Sequence, residues 1–517
     1  MRRIGHGDTQ VSPNLLAEAG IISVEESFGR MFPGLEADHA NLLEEGPEVV
    51  EALKRLGEAM VDPDEQAPGG GEIGPGDSDI PAAYTYLGQF IDHDITFDEA
   101  SAGIEALADL ELRPRRDLEG LKNSRTIKLD LDSVYGPAAP TDGPRMVIGP
   151  VTPLNNLNPP NARPAGKIDA NDLPRQPRSE DKDQDRAALI GDPRNDENLI
   201  VSQLHLAFLK AHNALVTDGL DFEAARKGLR QRYQRIILDD FLVRVCDKGV
   251  VETMLASGSG WNLGFTGATF MPVEFAVAAY RFGHSMIRTL YDFNVNFGRD
   301  GIETGLDLLF TFTALSGQLG FGQGTDTLPE NWIIEWERFL ELGGSQPQMA
   351  RTIDTQLTDF TFKLRNTFGQ PEGTGGTPEV VRVAPQLAVR NLLRGYFLKV
   401  PTGQAVAGAL GITPLTGQAL LDALPTEALR QAAAPFAERT PLWFYVLAEA
   451  GDPNGANGRH LGKLGSRIVC DAFWHFIRVS HDSVLDPASE PDIEHFTLGD
   501  LITLAFRDEG GAPAGSA

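Results

Sequence analysis

The chain has 517 residues, 41% of them hydrophobic, which is ample for a large buried core and sets a prior of roughly two to four domains. A net charge of −28 excludes the basic footprint that nucleic acid demands, and it disfavours an anionic membrane surface. Two cysteines, Cys246 and Cys470, cannot frame a disulfide scaffold; both lie in apolar runs and read as buried thiols, with a single bridge left open. Along the chain, helix patterns dominate. Pro47–Met60 carries apolar residues at Val49, Val50, Leu53, Leu56 and Met60, with proline near its start. Asp62–Asp79, rich in Gly, Pro and Asp, reads as a loop. Tyr84–Phe97 is an apolar helical stretch, and Arg125–Leu131 and Arg145–Ile148 alternate like short strands. The proline-rich stretch Pro137–Ala187 reads as a second loop. Asn198–Val216 is a strongly apolar helix after the cap-like Asp192-Pro193, and Glu223–Leu255 reads as one long helix. Further helices are expected over Pro272–Arg288, Leu306–Leu315, Pro329–Leu342, Pro385–Leu398, Pro414–Leu424, Leu461–Ser480 and Leu498–Ala505.

No run of about 18 apolar residues occurs, so no membrane span is expected. Met1 to Asp8 has no apolar stretch after its two arginines, so no secretory signal is legible. The default location is the cytoplasm, with export by another route left open. No solenoid repeat and no clean break in composition divide the chain. The expected architecture is mainly α with little strand: an N-terminal extension over 1–80, one large domain over 81–508 and a disordered tail over 509–517.

Five segments carry chemistry. The first is Gly88-Gln89-Phe90-Ile91-Asp92-His93-Asp94, a histidine between two aspartates inside the apolar stretch. Burying two carboxylates beside an imidazole is costly unless a cation, a cofactor or a proton transfer compensates. On a helix Gln89 and His93 share a face, while Asp92 and Asp94 splay to either side. The second is Asp130-Leu131-Asp132-Ser133-Val134-Tyr135-Gly136, with Thr126 upstream; alternating carboxylates and carbonyls suit Ca²⁺, although this is not an EF-hand. Gly191-Asp192-Pro193-Arg194-Asn195-Asp196-Glu197 sets Arg194 and Glu197 on one face. Tyr280-Arg281-Phe282-Gly283-His284 puts a lone histidine beside a glycine that permits close approach of a flat object. Arg390-Asn391-Leu392-Leu393-Arg394 puts an amide and two cations on one helix. Each segment alone also fits a blander role: a solvated helix end, a polar turn, an intrahelical ion pair or a satisfied core histidine.

In order and spacing, from about Tyr84 to Cys470, the five segments together resemble the animal-type haem peroxidases of the peroxidase–cyclooxygenase superfamily, in the form of a bacterial-like single-domain member. The resemblance implies a mainly α fold around haem b, with Ca²⁺ as a second cofactor. It gives His93 the role of distal acid–base, Arg194 that of the distal cation and Gln89 a place in the distal pocket. His284 corresponds to the proximal iron ligand and Asn391 to its hydrogen-bond partner. Arg281 and Arg394 correspond to positions beside the haem propionates. Asp94, Thr126, Asp130, Asp132 and the carbonyl of Lys128 correspond to the calcium site, with Asp132 where serine is common. Asp92 and Glu197 correspond to carboxylates that become ester-linked to haem. Asn198 stands where one branch has a sulfonium-forming methionine, a departure that weakens the case for chloride oxidation.

The implied reaction uses H₂O₂ to oxidise halides or thiocyanate by two electrons, or phenolic donors by one. The alternatives are a haem-dependent fatty-acid dioxygenase and a non-catalytic haem- and calcium-binding scaffold. The dioxygenase branch has a radical-forming tyrosine three residues before the proximal histidine, where this chain has Arg281. The acidic surface would mildly repel anionic donors, a long-range effect that salt screens. Oligomeric state is not legible.

Overall fold

The computed structural model describes residues 26–62, 76–97, 121–153, 171–181, 184–257, 269–298, 325–362, 386–489 and 493–507. Shorter described pieces are 263–265, 302, 304–309, 312–313 and 318–319, with single positions 118 and 491. The expected tail, and parts of the expected extension and of both loops, fall outside the described residues.

Helices form the body. Helix α1, Pro47–Ala59, opens on a proline whose missing N–H needs no partner, and buries Leu53 and Leu56. Helix α2, Ala83–Ile95, carries the Asp-His-Asp run. Helix α3, Leu199–Thr217, is apolar nearly all round and capped by the Asn198 side chain, which accepts from Val201 N. By length and composition α3 would cross a membrane, contrary to the sequence expectation of no such helix, but 89% of its apolar window is buried inside the protein. It is the core helix. Helix α4, Phe222–Arg235, follows it. Phe90 of α2 stacks on Phe208 of α3 at 4.6 Å and meets Tyr233 of α4 edge-on. This aromatic knot fixes the depth and rotation of α2, and so the direction of His93.

Helix α5 is Lys248–Ser257 and α6 is Leu387–Phe397. A Cβ on Gly57 would stand 2.8 Å from the Val389 backbone, so only glycine lets α1 lie directly on α6. Helix α7, Leu442–Gly451, packs on α6 and on α8, Lys463–Val479, while α9, Leu498–Phe506, covers α3. Strand is sparse. Glu26–Gly29 pairs antiparallel with Lys122–Asn123 and parallel with Met271–Pro272; Asp77–Pro81 pairs with Met349–Arg351. Met31 N also donates to the buried Glu274 carboxylate at 2.9 Å. Residues 26–62 and 76–80 of the expected extension therefore pack into the body.

Several expected elements differ. Glu223–Leu255 is broken by a π turn at Ile236–Phe241 and by Cys246, after which Asp247 caps a new helix through Val250 N. Pro272–Arg288 is one short α turn, Val273–Ala276, followed by a 3₁₀ segment, Ala279–His284. Pro329–Leu342 holds two 3₁₀ turns, Glu330–Trp332 and Trp336–Arg338, because Glu335 N bonds to Phe293 O and Arg338 to Asp292. Among the described residues of the expected helix Leu306–Leu315, Leu306–Leu309 is helical and Phe312–Thr313 pairs as strand with Gln318–Leu319. Arg125–Leu131 is not a strand, since its side chains are drawn into the contacts described below.

Candidate functional site

On one side of the site, α2 presents His93 and Gln89 to the segment that enters α3. Asp192 caps the 3₁₀ turn Pro193–Asp196 through Arg194 N. Its buried carboxylate also takes Arg194 Nη2 at 2.7 Å and Arg125 Nη2 at 2.6 Å. Burial opposes this charge, but the Arg194 and Arg125 guanidiniums hold its carboxyl well below the usual carboxylate range. The same contact keeps Arg194 charged despite burial. Arg194 Nη2 further donates to His93 O at 2.8 Å, and Phe97 lies under its guanidinium at 4.7 Å. The cation is thus locked to the backbone of the histidine.

The His93 ring is buried. Nδ1 lies 2.8 Å from Asn195 Oδ1, and Asn195 Nδ2 lies 3.0 Å from His205 Nδ1 on α3. Nε2 lies 3.8 Å from Glu197 Oε1, too far for a hydrogen bond. Burial, and then the Arg194 guanidinium, push the imidazole below its ordinary pKa, so its resting form is neutral. Gln89 donates to Glu197 and accepts from Asn198 Nδ2 at 3.1 Å. Asn198 therefore both caps α3 and orients Gln89. Asp92 is half-buried on the flank of the helix.

Asp94, on the opposite flank and fully buried, accepts from Leu131 N at 3.2 Å and Ser133 N at 3.0 Å. Leu131 adopts φ +57°, a left-handed conformation that aims both amides at this carboxylate. Burial, and then Asp132, push the Asp94 carboxyl up to about 7. Thr126 Oγ1 donates to Asp132 at 3.3 Å. A Cβ on Gly191 would stand 2.3 Å from Asp132 O, so the loop presses directly on the segment that holds Arg194. The structure does not bring the whole expected calcium set together. Asp130 turns away, accepting from His481 N at 2.9 Å and pairing with its Nδ1 at 2.5 Å. Lys128 sits nearby, its Nζ 3.4 Å from His481 Nε2. Among the described residues no three His, Cys, Asp or Glu side chains form a metal-holding group.

On the other side, the segment Ala279–His284 is tied down at three points. Tyr280 OH donates to Gly88 O at 3.1 Å, Trp443 Nε1 of α7 donates to Arg281 O at 3.1 Å, and Arg281 Nε donates to Ala276 O at 3.1 Å. Asn391 Nδ2 lies 2.8 Å from His284 Nδ1, and Asn391 Oδ1 accepts from Arg281 Nη1 at 2.6 Å. Since guanidinium only donates, Arg281 sets the amide with its NH₂ on the imidazole. This places Arg281 on the amide partner of His284, a position the expected propionate role did not foresee. Arg394 lies one turn beyond Arg390 on α6; burial, and then Arg394, push the Arg390 guanidinium down to about 10.

The structure thus groups His93, Arg194, Gln89 and Glu197, and separately groups His284, Asn391 and Arg281. The sequence reading missed Arg125 and the carboxylate of Asp192. It also missed Asn195 and His205. Asn195 lay inside a motif already singled out, and His205 was a lone polar ring on an apolar helix.

The family model described as animal haem peroxidase matches residues 119–368, which include Arg194 and His284 but neither His93 nor Asn391. A peroxidasin homolog of Caenorhabditis elegans is 27% identical over 225 residues, 41% of this chain and 15% of that protein. A peroxidase-like protein of Margaritifera margaritifera is 29% identical over 119 residues, 20% of this chain and 14% of that protein. The chain therefore spans about a seventh of the length of these curated relatives. Among solved structures, peroxidase A of Dictyostelium discoideum aligns over 97% of this chain and 96% of its own, with TM-score 0.52 and 15% identity. The fatty acid alpha-dioxygenase of Oryza sativa aligns over 93% of this chain and 77% of its own, with TM-score 0.51 and 14% identity. At these identities the two structures share the fold with this chain.

Proposed function

We propose that this chain, whose residues 119–368 match the animal haem peroxidase model, binds haem b and reduces H₂O₂ at the expense of small anionic or phenolic donors. The residues fit the group. Asn391 lies on His284 Nδ1; for Nε2 to ligate iron the ring proton must sit on Nδ1, so on haem binding the Asn391 amide would turn its oxygen to that nitrogen and give up its contact with Arg281. Cβ atoms built on Gly283 and Gly395 would meet nothing within 4 Å, so open space adjoins His284 and Arg394. The like charges of Arg390 and Arg394 suit a carboxylate-bearing ligand. Haem, when bound, supplies the redox centre that accepts oxidising equivalents from peroxide.

The side chains supply the proton and charge management. His93 takes a proton from one peroxide oxygen at Nε2 and returns it to the other, which leaves as water. Arg194 presents a fixed charge to the oxygen on which negative charge develops. Two phenols then give two phenoxyl radicals and a second water per peroxide. Alternatively one halide gives one hypohalous acid. The observation that carries this reading is the contact of His93 and Arg194, 101 residues apart in sequence and joined by a 2.8 Å hydrogen bond. Steady-state turnover of the haem-loaded protein tests it. Phenols, iodide, thiocyanate and bromide are expected to be oxidised, and chloride weakly. No peroxide-dependent turnover of any donor would leave the haem- and calcium-binding scaffold as the better account. The dioxygenase reading is disfavoured by Arg281 in the radical tyrosine's place, and Tyr280 is committed to Gly88 O.

Calcium is assigned to Asp94, Asp132, Thr126 and the Lys128 carbonyl, with Asp130 drawn off by His481. Two carboxylates this close, one of them fully buried, are stabilised together by a hard divalent ion. Removing that ion is expected to lower the melting temperature and slow the peroxide reaction, because Asp94 adjoins His93. Metal analysis before and after chelation, read beside melting temperatures and stopped-flow peroxide rates, checks this. A calcium-free protein indifferent to chelator would contradict the assignment.

Asp92 and Glu197 are proposed to form up to two ester links to haem after exposure to H₂O₂, with no sulfonium link because Asn198 has no sulfur. Acid–organic extraction followed by mass analysis checks this. Haem released whole and unmodified after peroxide treatment would refute the links and leave the peroxidase reading standing.

A further inference from the structure

We propose that Asn195 is a positioning residue that fixes the tautomer and orientation of His93, and that His205 in turn fixes Asn195. The proposal rests on the peroxidase reading, since it explains how His93 comes to present the nitrogen that reading requires. A neutral imidazole carries its proton on one nitrogen only. To take a proton at Nε2, His93 must hold its own at Nδ1. Asn195 Oδ1 lies 2.8 Å from that Nδ1, and a carbonyl oxygen only accepts, so the proton belongs on Nδ1. Glu197, at 3.8 Å from Nε2, is too distant to hold the proton there.

An amide has two ends, and a flipped Asn195 would donate to Nδ1 and force the opposite tautomer. The second end is held by His205, whose Nδ1 lies 3.0 Å from Asn195 Nδ2. An amide nitrogen only donates, so His205 accepts there. The two rings are therefore coupled through one amide: a flip requires both to change tautomer. Asn195 and His205 are both fully buried, which shields the relay from competing solvent. The His205 ring meets Phe90 at 6.1 Å, and Phe90 stacks on Phe208, so the relay is anchored in the α2–α3 core. Burial pushes the His205 imidazole down to about 3, so it stays neutral and keeps its accepting lone pair. Its far nitrogen, Nε2, is enclosed without a hydrogen-bond partner among the described residues. The relay ends there, and a proton taken up by His93 has no outlet through it.

The test uses the haem-loaded protein. In its reduced carbon monoxide form, ¹⁵N NMR of labelled histidines reads which ring nitrogen of His93 is protonated. The expected result is a protonated Nδ1 and a bare Nε2. Asn195→Leu, of similar volume but without polar atoms, is expected to slow the reaction with H₂O₂ roughly 10- to 100-fold, within the range of a misdirected acid–base catalyst. Haem content and the later oxidation of donor should be unchanged. Asn195→Asp restores an accepting oxygen and should recover most of the rate. His205→Phe should show part of the loss and a mixed tautomer. A wild-type His93 protonated on Nε2, or an Asn195→Leu variant as fast as the parent, would overturn the proposal. If Asn195→Leu fails to take up haem, the wild-type tautomer and the Asn195→Asp rate still decide. A parent protein inert to peroxide would instead sink the peroxidase reading, while the NMR result would still report on the relay.

Discussion

Replacing His284 with alanine is expected to abolish peroxidase turnover and to release or loosen the haem. Trp443 holds the Arg281 carbonyl, the Tyr280 hydroxyl ties the turn to Gly88 O, and Asn391, itself held by Arg281, lies on Nδ1. None of these groups can replace the imidazole at the metal. Losing an outer partner of a metal ligand typically costs about 10- to 100-fold, and losing the ligand itself should cost more. Haem absorbance per mole of protein and turnover are the measurements. Added imidazole should restore part of both, because the truncated side chain leaves room beside Gly283. Parent-level haem and turnover without imidazole would show that the iron is bound elsewhere.

Replacing His93 with alanine is expected to keep the haem but slow the reaction with H₂O₂ by roughly 100-fold or more, the scale of a lost acid–base group. Arg194→Ala should cost a similar factor, on the order of 10²–10³, as for a removed charge-stabilising donor. The two variants should differ in stability. His93 removal empties a ring-sized site. Arg194 removal leaves the buried Asp192 with Arg125 as its remaining cation partner, so the fold should lose more there. Stopped-flow rates with peroxide, read beside melting temperatures, separate the two effects. Unchanged peroxide rates in either variant would remove that residue from the catalytic set.

The long helices were legible because their apolar patterns are local: Pro47–Ala59, Ala83–Ile95, Leu199–Thr217 and Lys463–Val479 match expectation within two residues at either end. The failures arose where tertiary bonds outcompete helix bonds. Trp336–Arg338 is held by Asp292 and by Phe293 O, and Asp247 N turns to Ser466 Oγ at the break after Cys246. No local pattern encodes those partners. The site divides the same way. His93, Arg194 and His284 lie in compact motifs, and their residue types announce acid–base and ligand chemistry. Asn195 and His205 do not, because an amide becomes a positioning group only once a specific ring stands on each side of it. Asp130 shows the reverse: its motif suggested a cation, and His481, 351 residues away, claims the carboxylate.

The most direct measurement is the optical spectrum of the purified protein before and after one equivalent of H₂O₂, followed by a phenolic donor. The account predicts a haem spectrum that changes at once with peroxide and returns to its starting form on consuming two phenols per peroxide. A protein that takes up no haem, or whose haem spectrum is unmoved by peroxide, would contradict it.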